Sequence, residues 1–207
     1  LFHLGYDEET HIHQQKHNTV VVRQGELWWH DFLWFEKTVS DLGSRPWIWA
    51  DYIWWHREEF VKRITPRTKA ILICNPNNPT GYLYTEEEMQ KLADLVAQHN
   101  LYLISDEVYR EFCYDGRKHI SALTLKGVEQ NVIVVDSVSK RFSMCGVRLG
   151  NIVSRNKDVM VAAMRLAQAR LSPPHLAQVA AAAAYDAPQS YYDDVVAEYT
   201  SRRDCLV

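Results

Sequence analysis

The stretch KAILICNPNNPTGYLYTEEEMQKLADLVAQHNLYLISDEVY, Lys69 to Tyr109, decides the fold. It opens with KAILICNP (Lys69 to Pro76), a short apolar run stopped by turn residues, which predicts a buried strand. Thr85 then opens a helix, with Glu88 three residues later completing a capping box and acidic residues filling the first turn. That helix runs on Met89, Leu92, Leu95 and Val96 to a stop near Asn100. LYLISDE (Leu101 to Glu107) reads as a second buried strand.

Downstream the alternation continues. NVIVVDS (Asn131 to Ser137) is a third buried strand and VRLGNIVS (Val147 to Ser154) a fourth. Asn156 to Arg170 reads as a helix, and Pro173-Pro174 interrupts before a further helix from His175. In that helix the alanines 180 to 184 read as buried. Ser190 is expected to cap a last amphipathic helix reaching the C-terminus. Strands alternating with helices predict an α/β fold, a mostly parallel sheet sandwiched by helices.

Upstream the texture changes. All seven tryptophans fall between Trp28 and Trp55, and six of the nine histidines between His3 and His56. Runs such as LWWHDFLWF and RPWIWADYIWWH hold no steady period of 2 or 3.6. The chain therefore divides into an atypical aromatic-rich segment, residues 1–56, and an ordinary α/β part, residues 57–207. The first segment is either an unusual subdomain or a stretch that is not native coding sequence, such as a shifted reading frame. The second reading predicts poor packing, exposed aromatic area and early proteolysis before Arg57.

Composition narrows the function. Hydrophobic residues make up 47% and charged residues 24% of the 207, ordinary globular values. A formal net charge of -3 offers no basic footprint for nucleic acid. No apolar run is long enough to span a bilayer and no signal-peptide pattern is present, so neither a membrane nor nucleic acid is an expected partner. Cys74, Cys113, Cys145 and Cys205 show no metal or redox spacing, which predicts reduced thiols in a cytoplasmic protein and no metal site.

In open α/β sheets ligands sit outside the carboxyl ends of the strands. NPNNPTG (Asn75 to Gly81), SDEVY (Ser105 to Tyr109) and SVSK (Ser137 to Lys140) all lie there, and Gly146, Arg148 and Gly150 bracket the fourth strand. Each has a plainer reading alone. NPNNPTG is a turn, Asp106 a helix cap, Tyr109 a core tyrosine and Lys140 a solvated lysine. SVSKRFSMCGVRLG (Ser137 to Gly150) is more pointed. Hydroxyls and a guanidinium suit a phosphate dianion, and a lysine beside them suits a phosphorylated aldehyde.

This segment resembles the lysine motif of fold-type I pyridoxal-phosphate enzymes, specifically the class I/II aminotransferases of the aspartate aminotransferase family. The pattern is Ser, two residues, Lys, then Arg eight residues on with flanking glycines. The same family carries an Asn-Pro-Thr-Gly turn and an Asp-x-x-Tyr strand end upstream, in this order. The likeness covers residues 57–207, including TPRTKAILICNPNNPTG and AQARLSPP. It implies that the cofactor is pyridoxal 5'-phosphate, carried by Lys140 as a Schiff base, and that Lys140 later moves the proton at the substrate α-carbon. Asp106 would pair with the pyridine nitrogen. Tyr109 and Asn78 would hydrogen-bond the ring oxygen, and Ser137, Ser139 and Arg148 would hold the phosphate. The substrates implied are an L-amino acid and a 2-oxo acid, and the intact parent is expected to be a homodimer.

The resemblance also sets out departures. Residues 18 to 60 can be laid on the family without gaps, ending in EEF (Glu58 to Phe60), yet identity is largely lost. LFHLGY stands where the family has a glycine-serine phosphate turn, and the ring-stacking aromatic falls near Leu27 and Trp28. The chain stops at Val207, before the small domain that supplies the arginine for the substrate carboxylate. A fragment of the large domain that lacks activity by itself is therefore expected. A lyase or decarboxylase of the same fold type, or an inactive relative, are the alternatives.

Overall fold

The structure is a computed structural model describing residues 2–3, 26–44, 46–47, 58, 61–62 and 64–206. It divides into two units, Leu1–Thr68 and Lys69–Val207. In the first unit β1 (Phe2–His3) pairs in parallel with β2 (Pro46–Trp47). Between them runs α1 (Glu26–Asp41). The aromatic run LWWHDFLWF is thus helical, although no helical period is visible in it. Phe32 and Val39, two turns apart, are buried, while Trp34 on another side is 56% exposed. Apolar residues spread over most of its circumference, far wider than a single stripe. Its stop is conventional: Gly43 has φ +75°, and the Ser44 N–H reaches back to the Val39 carbonyl at 3.1 Å. Most of the other residues of the atypical segment, including LGY of LFHLGY, lie outside the described residues. So do the side chains of Leu27 and Trp28, and the expectations about packing and proteolysis there.

The second unit holds a four-stranded sheet in the order β3 (Ala70–Cys74), β4 (Tyr102–Asp106), β5 (Val132–Ser137), β6 (Gly150–Ser154). The first three strands are parallel and β6 is antiparallel to β5. Burial alternates along each parallel strand, as a pleat requires. Ile71 and Ile73, Leu103 and Ser105, Val132 and Val134 form the fully buried face. Against the sheet lies α2 (Glu86–His99), which buries Met89, Leu92, Ala93, Leu95 and Val96. Its start is the expected capping box: Thr85 accepts from the Glu88 N–H, and Glu88 accepts from the Thr85 N–H at 2.8 Å. It ends where Asn100 turns left-handed, φ 49°.

Past β5 comes one turn of helix, α3 (Val138–Arg141), then α4 (Lys157–Arg170), α5 (His175–Ala184) and α6 (Gln189–Leu206). Four expectations need correction here. The fourth strand begins at Gly150, because Cys145–Val147 is a 3-10 turn and Arg148 is left-handed, φ 57°. That strand is also exposed, since it edges the sheet among the described residues. In the alanine run only Ala181 is buried. The last helix starts at Gln189, which places Ser190 inside its first turn, and no residue of it is buried.

Candidate active site

Register alone gathers the chemistry at one end of the sheet. Cys74 pairs with Asp106, Asp106 with Val135, and Ser137 with Gly150. The turn after β3, the exit of β4 and the exit of β5 therefore lie side by side. Because β6 runs the opposite way, the chain re-enters this end at its start, just after Arg148.

The pleat then sorts the residues. Asp106 shares a face with Tyr102 and Ile104, and Ser137 with Ile133 and Val135, opposite the fully buried face. The Asp106 carboxylate accepts the Val108 N–H through Oδ1 at 3.1 Å, and among the described residues Oδ2 takes no hydrogen bond. Burial, and then the negative charge of Asp136, raise its pKa above the ordinary carboxylate value. A cationic nitrogen donor brought to Oδ2 would offset that penalty.

Ser137 is the N-cap of α3, its Oγ accepting the Ser139 N–H at 3.0 Å. Its hydroxyl proton is left to donate. Lys140, exposed on the same turn, reaches back over the exit of β4, with Nζ 5.7 Å from the centroid of the Tyr109 ring. Arg148, held left-handed, donates from Nη1 to the Cys145 carbonyl at 3.1 Å and is otherwise exposed. Asn78 is exposed, within a turn whose Asn75–Pro76 and Asn78–Pro79 bonds are both cis. The turn is pinned by Asn77, which accepts the Thr80 N–H at 3.2 Å, and by the Gly81 N–H on the Asn77 carbonyl at 2.9 Å. The structure thus places Asp106, Tyr109, Ser137, Ser139 and Lys140 at one end of the sheet, with Lys140 over the Tyr109 ring. Asn78 and Arg148 flank them from neighbouring turns.

Gly150 is required by proximity. A Cβ there would stand 2.9 Å from the Asp136 backbone oxygen, whereas one on Gly146 would meet nothing within 4 Å. Of the two glycines bracketing Arg148, only the second answers a steric need.

Behind the sheet end lies a polar layer that sequence reasoning did not single out. Glu107 is fully buried, accepting the Ala122 N–H at 2.8 Å and the Ser105 hydroxyl at 3.1 Å. His119 Nε2 faces its Oε2 at 3.7 Å, too far for a hydrogen bond, and both atoms are buried without a hydrogen-bond partner among the described residues. Burial, then Arg110 and Arg141, hold the imidazole down to about 4, while burial raises Glu107. The contact is therefore not an ion pair at neutral pH. Asp136 and Arg141 complete the layer, with Arg141 Nη2 donating to Asp136 Oδ2 at 2.9 Å. The available signal was the acidic residue one step beyond Asp106 and the arginine one step beyond Lys140.

Among the described residues no group of three acids, histidines or cysteines is placed to hold a metal, and no helix is long and apolar enough to cross a membrane. None of the four cysteines forms a disulfide. The cleft between the segment Arg110–His119 and α6, lined by Arg117, Lys118 and Asp193, lies apart from Lys140.

Residues 56–207 match the family model for aminotransferase class I and II. An aspartate aminotransferase of Geobacillus stearothermophilus is 37% identical over 151 residues, covering 72% of this chain and 38% of that protein. A kynurenine–oxoglutarate transaminase of Dictyostelium discoideum is 34% identical over 156 residues, 73% of this chain and 36% of that protein. Among solved structures, an aromatic aminotransferase from Pyrococcus horikoshii superposes with a TM-score of 0.69 at 31% identity, covering 79% of this chain and 45% of that one. A Thermus thermophilus aspartate aminotransferase mutant gives 0.66 at 34% identity, covering 72% and 39%. The chain thus spans less than half the length of these relatives.

Proposed function

Because the chain belongs to the class I and II aminotransferases, we propose that the whole protein uses pyridoxal 5'-phosphate to move an amino group between an L-amino acid and a 2-oxo acid. The single observation that carries this is the shared sheet end, where Lys140 stands over Tyr109 beside the strand exit bearing Asp106. The donor set suits the cofactor. It offers an amine for an aldehyde, a carboxylate for a pyridinium, and hydroxyl and guanidinium groups for a phosphate.

When bound, the cofactor supplies an electron sink for the charge left on the substrate α-carbon as its proton departs. The chain's own residues do the rest. Lys140 anchors the aldehyde and, as a free amine, carries the α-proton. Asp106 keeps a proton on the pyridine nitrogen, a task for which its Oδ2 is open. Tyr109 and Asn78 donate to the ring oxygen. Ser137, Ser139 and Arg148 hold the phosphate, the serines lying on the capped turn of α3 and Arg148 on the rigid left-handed turn before β6. The partition at residue 57, read from the change of texture there, a cytoplasmic location, read from the spacing of the cysteines, and a homodimer for the parent, as the resemblance implies, belong to the same reading.

The test is chemical. The purified chain is mixed with pyridoxal phosphate, reduced with borohydride and mapped by peptide mass. Label on Lys140, followed by amine release to a 2-oxo acid in the intact protein, supports the reading. Label elsewhere, on Lys126 or Lys157, defeats it.

A further inference from the structure

We propose that Arg141 and Asp136 are a positioning pair for Lys140, gripping its turn from the buried side of the sheet; this rests on the cofactor reading above. Arg141 is 3% exposed and Asp136 8%. Charges taken this far from water persist only when paired and hydrogen-bonded. Asp136 spends one oxygen on its own turn, Oδ1 accepting the Ser137 N–H at 2.7 Å. It spends the other on Arg141 Nη2 at 2.9 Å, with Arg110 Nη1 at 3.5 Å. Glu111 completes the set, its Oε1 3.7 Å from Arg141 Nη1 and 3.3 Å from Arg110 Nε. Two cations face two anions, so these four side chains balance one another.

The connectivity gives the layer its direction. Asp136 and Arg141 bracket the turn Ser137 to Lys140. Arg110 and Glu111 directly follow Tyr109. The same charges therefore tie together the two backbones that carry Lys140 and Tyr109, on the side opposite the open site. The Arg141 guanidinium is walled by the rings of Phe142 and Tyr185, each 5.8 Å away, which limits its freedom. Lys140 is left with a fixed backbone and a free side chain. An apolar pair of similar volume would hold the sheet end at least as well. It would not fix the rotation of α3, which decides where Nζ points.

The test separates attachment from binding. Three chains are compared: wild type, the double variant Asp136→Asn/Arg141→Met, which leaves no lone buried charge, and Arg141→Lys, which keeps the charge but loses the fork. Circular dichroism and denaturant midpoints report folding. Affinity for pyridoxal phosphate is read from borohydride-trapped Lys140. Affinity for pyridoxamine phosphate, which has no aldehyde to attach, is read from fluorescence quenching. A positioning role predicts pyridoxamine phosphate affinity within about 3-fold of wild type and attachment weakened about 10- to 100-fold in the double variant, with Arg141→Lys in between. If the double variant does not fold, the same ratio in Arg141→Lys decides. Equal weakening for both ligands, or wild-type attachment in the variants, overturns the pair as a positioning device. Wild type that never attaches defeats the cofactor reading instead.

Discussion

The backbone oxygen of Asp136 occupies, to within 2.9 Å, the place where a side chain on Gly150 would begin. Strand β6 approaches β5 closely at this point because Gly150 has nothing to put between them. Gly150→Ala should therefore push the two strands apart and cost about 1–3 kcal/mol of stability. Gly146→Ala, with open space around it, should stay within about 0.5 kcal/mol. Denaturant unfolding of both variants checks this. Equal costs would mean that crowding at Gly150 is relieved by a simple shift.

His119 sets a pH dependence. Its folded value of about 4 lies below the ordinary 6.5. The unfolded chain therefore takes up the proton first, so the stabilising contribution is complete above pH 6.5 and is lost as pH falls toward 4. The loss should be on the order of 1–3 kcal/mol. Glu107, raised by burial, works in the opposite sense, its contribution being present at low pH and lost as pH rises through its elevated value. Glu88, held low by hydrogen bonds from Thr85 and Tyr82 against the opposing effect of burial, loses its contribution only at more acid pH. Unfolding measured from about pH 7 to 5 should show a decline that His119→Gln largely removes. An unchanged slope in that variant would assign the decline elsewhere.

Thr85 closes one end of α2 and reaches nothing in the site. Thr85→Ala should remove the cap and cost about 1 kcal/mol. Borohydride trapping at Lys140 should be unaffected in chain that remains folded. A parallel loss of trapping would show that α2 bears on the site in a way its hydrogen bonds do not suggest.

Leu103 is fully buried at the centre of the sheet, between Ile71 and Val132. Leu103→Ala should cost about 2–5 kcal/mol by leaving a cavity. A cost under about 1 kcal/mol by chemical denaturation would mean that the sheet faces collapse freely and that β4 is not the structural centre.

How much of this was legible beforehand follows from where each signal lies. β3, α2, β4 and β5 were readable because their information is local: unbroken apolar runs, a capping box, a left-handed asparagine. The candidate site residues were found at strand ends, with roles that the resemblance implied, and the register gathers those strand ends at one end of the sheet. α1 was not, since apolar residues spread over most of its circumference blur the period that announces a helix. Nor was the true start of β6, because Arg148 adopts a left-handed backbone that no preference of arginine foretells. Asp136, Arg141, Glu107 and His119 escaped notice for a different reason. Their importance comes from facing one another across the buried side, and pairing across a fold leaves no mark at any one position.

The pairing of Ser137 with Gly150 means that the chain leaves the sheet and comes back to it at the same rung. The Val138 N–H on the Leu149 carbonyl, at 3.3 Å, closes the circuit one step further out. Everything between is a ring closed at this rung, seated by Arg141 on Asp136 and Glu111 and by Phe142 among Ala181, Tyr191 and Tyr192. Such a ring can be exchanged as one cassette. A donor segment of equal length that keeps the two rung residues, Arg141 and an aromatic foot would bring its own amine and guanidinium to the sheet without redrawing any strand. Drift in reaction type could therefore be confined to this segment while the sheet beneath it stays the same.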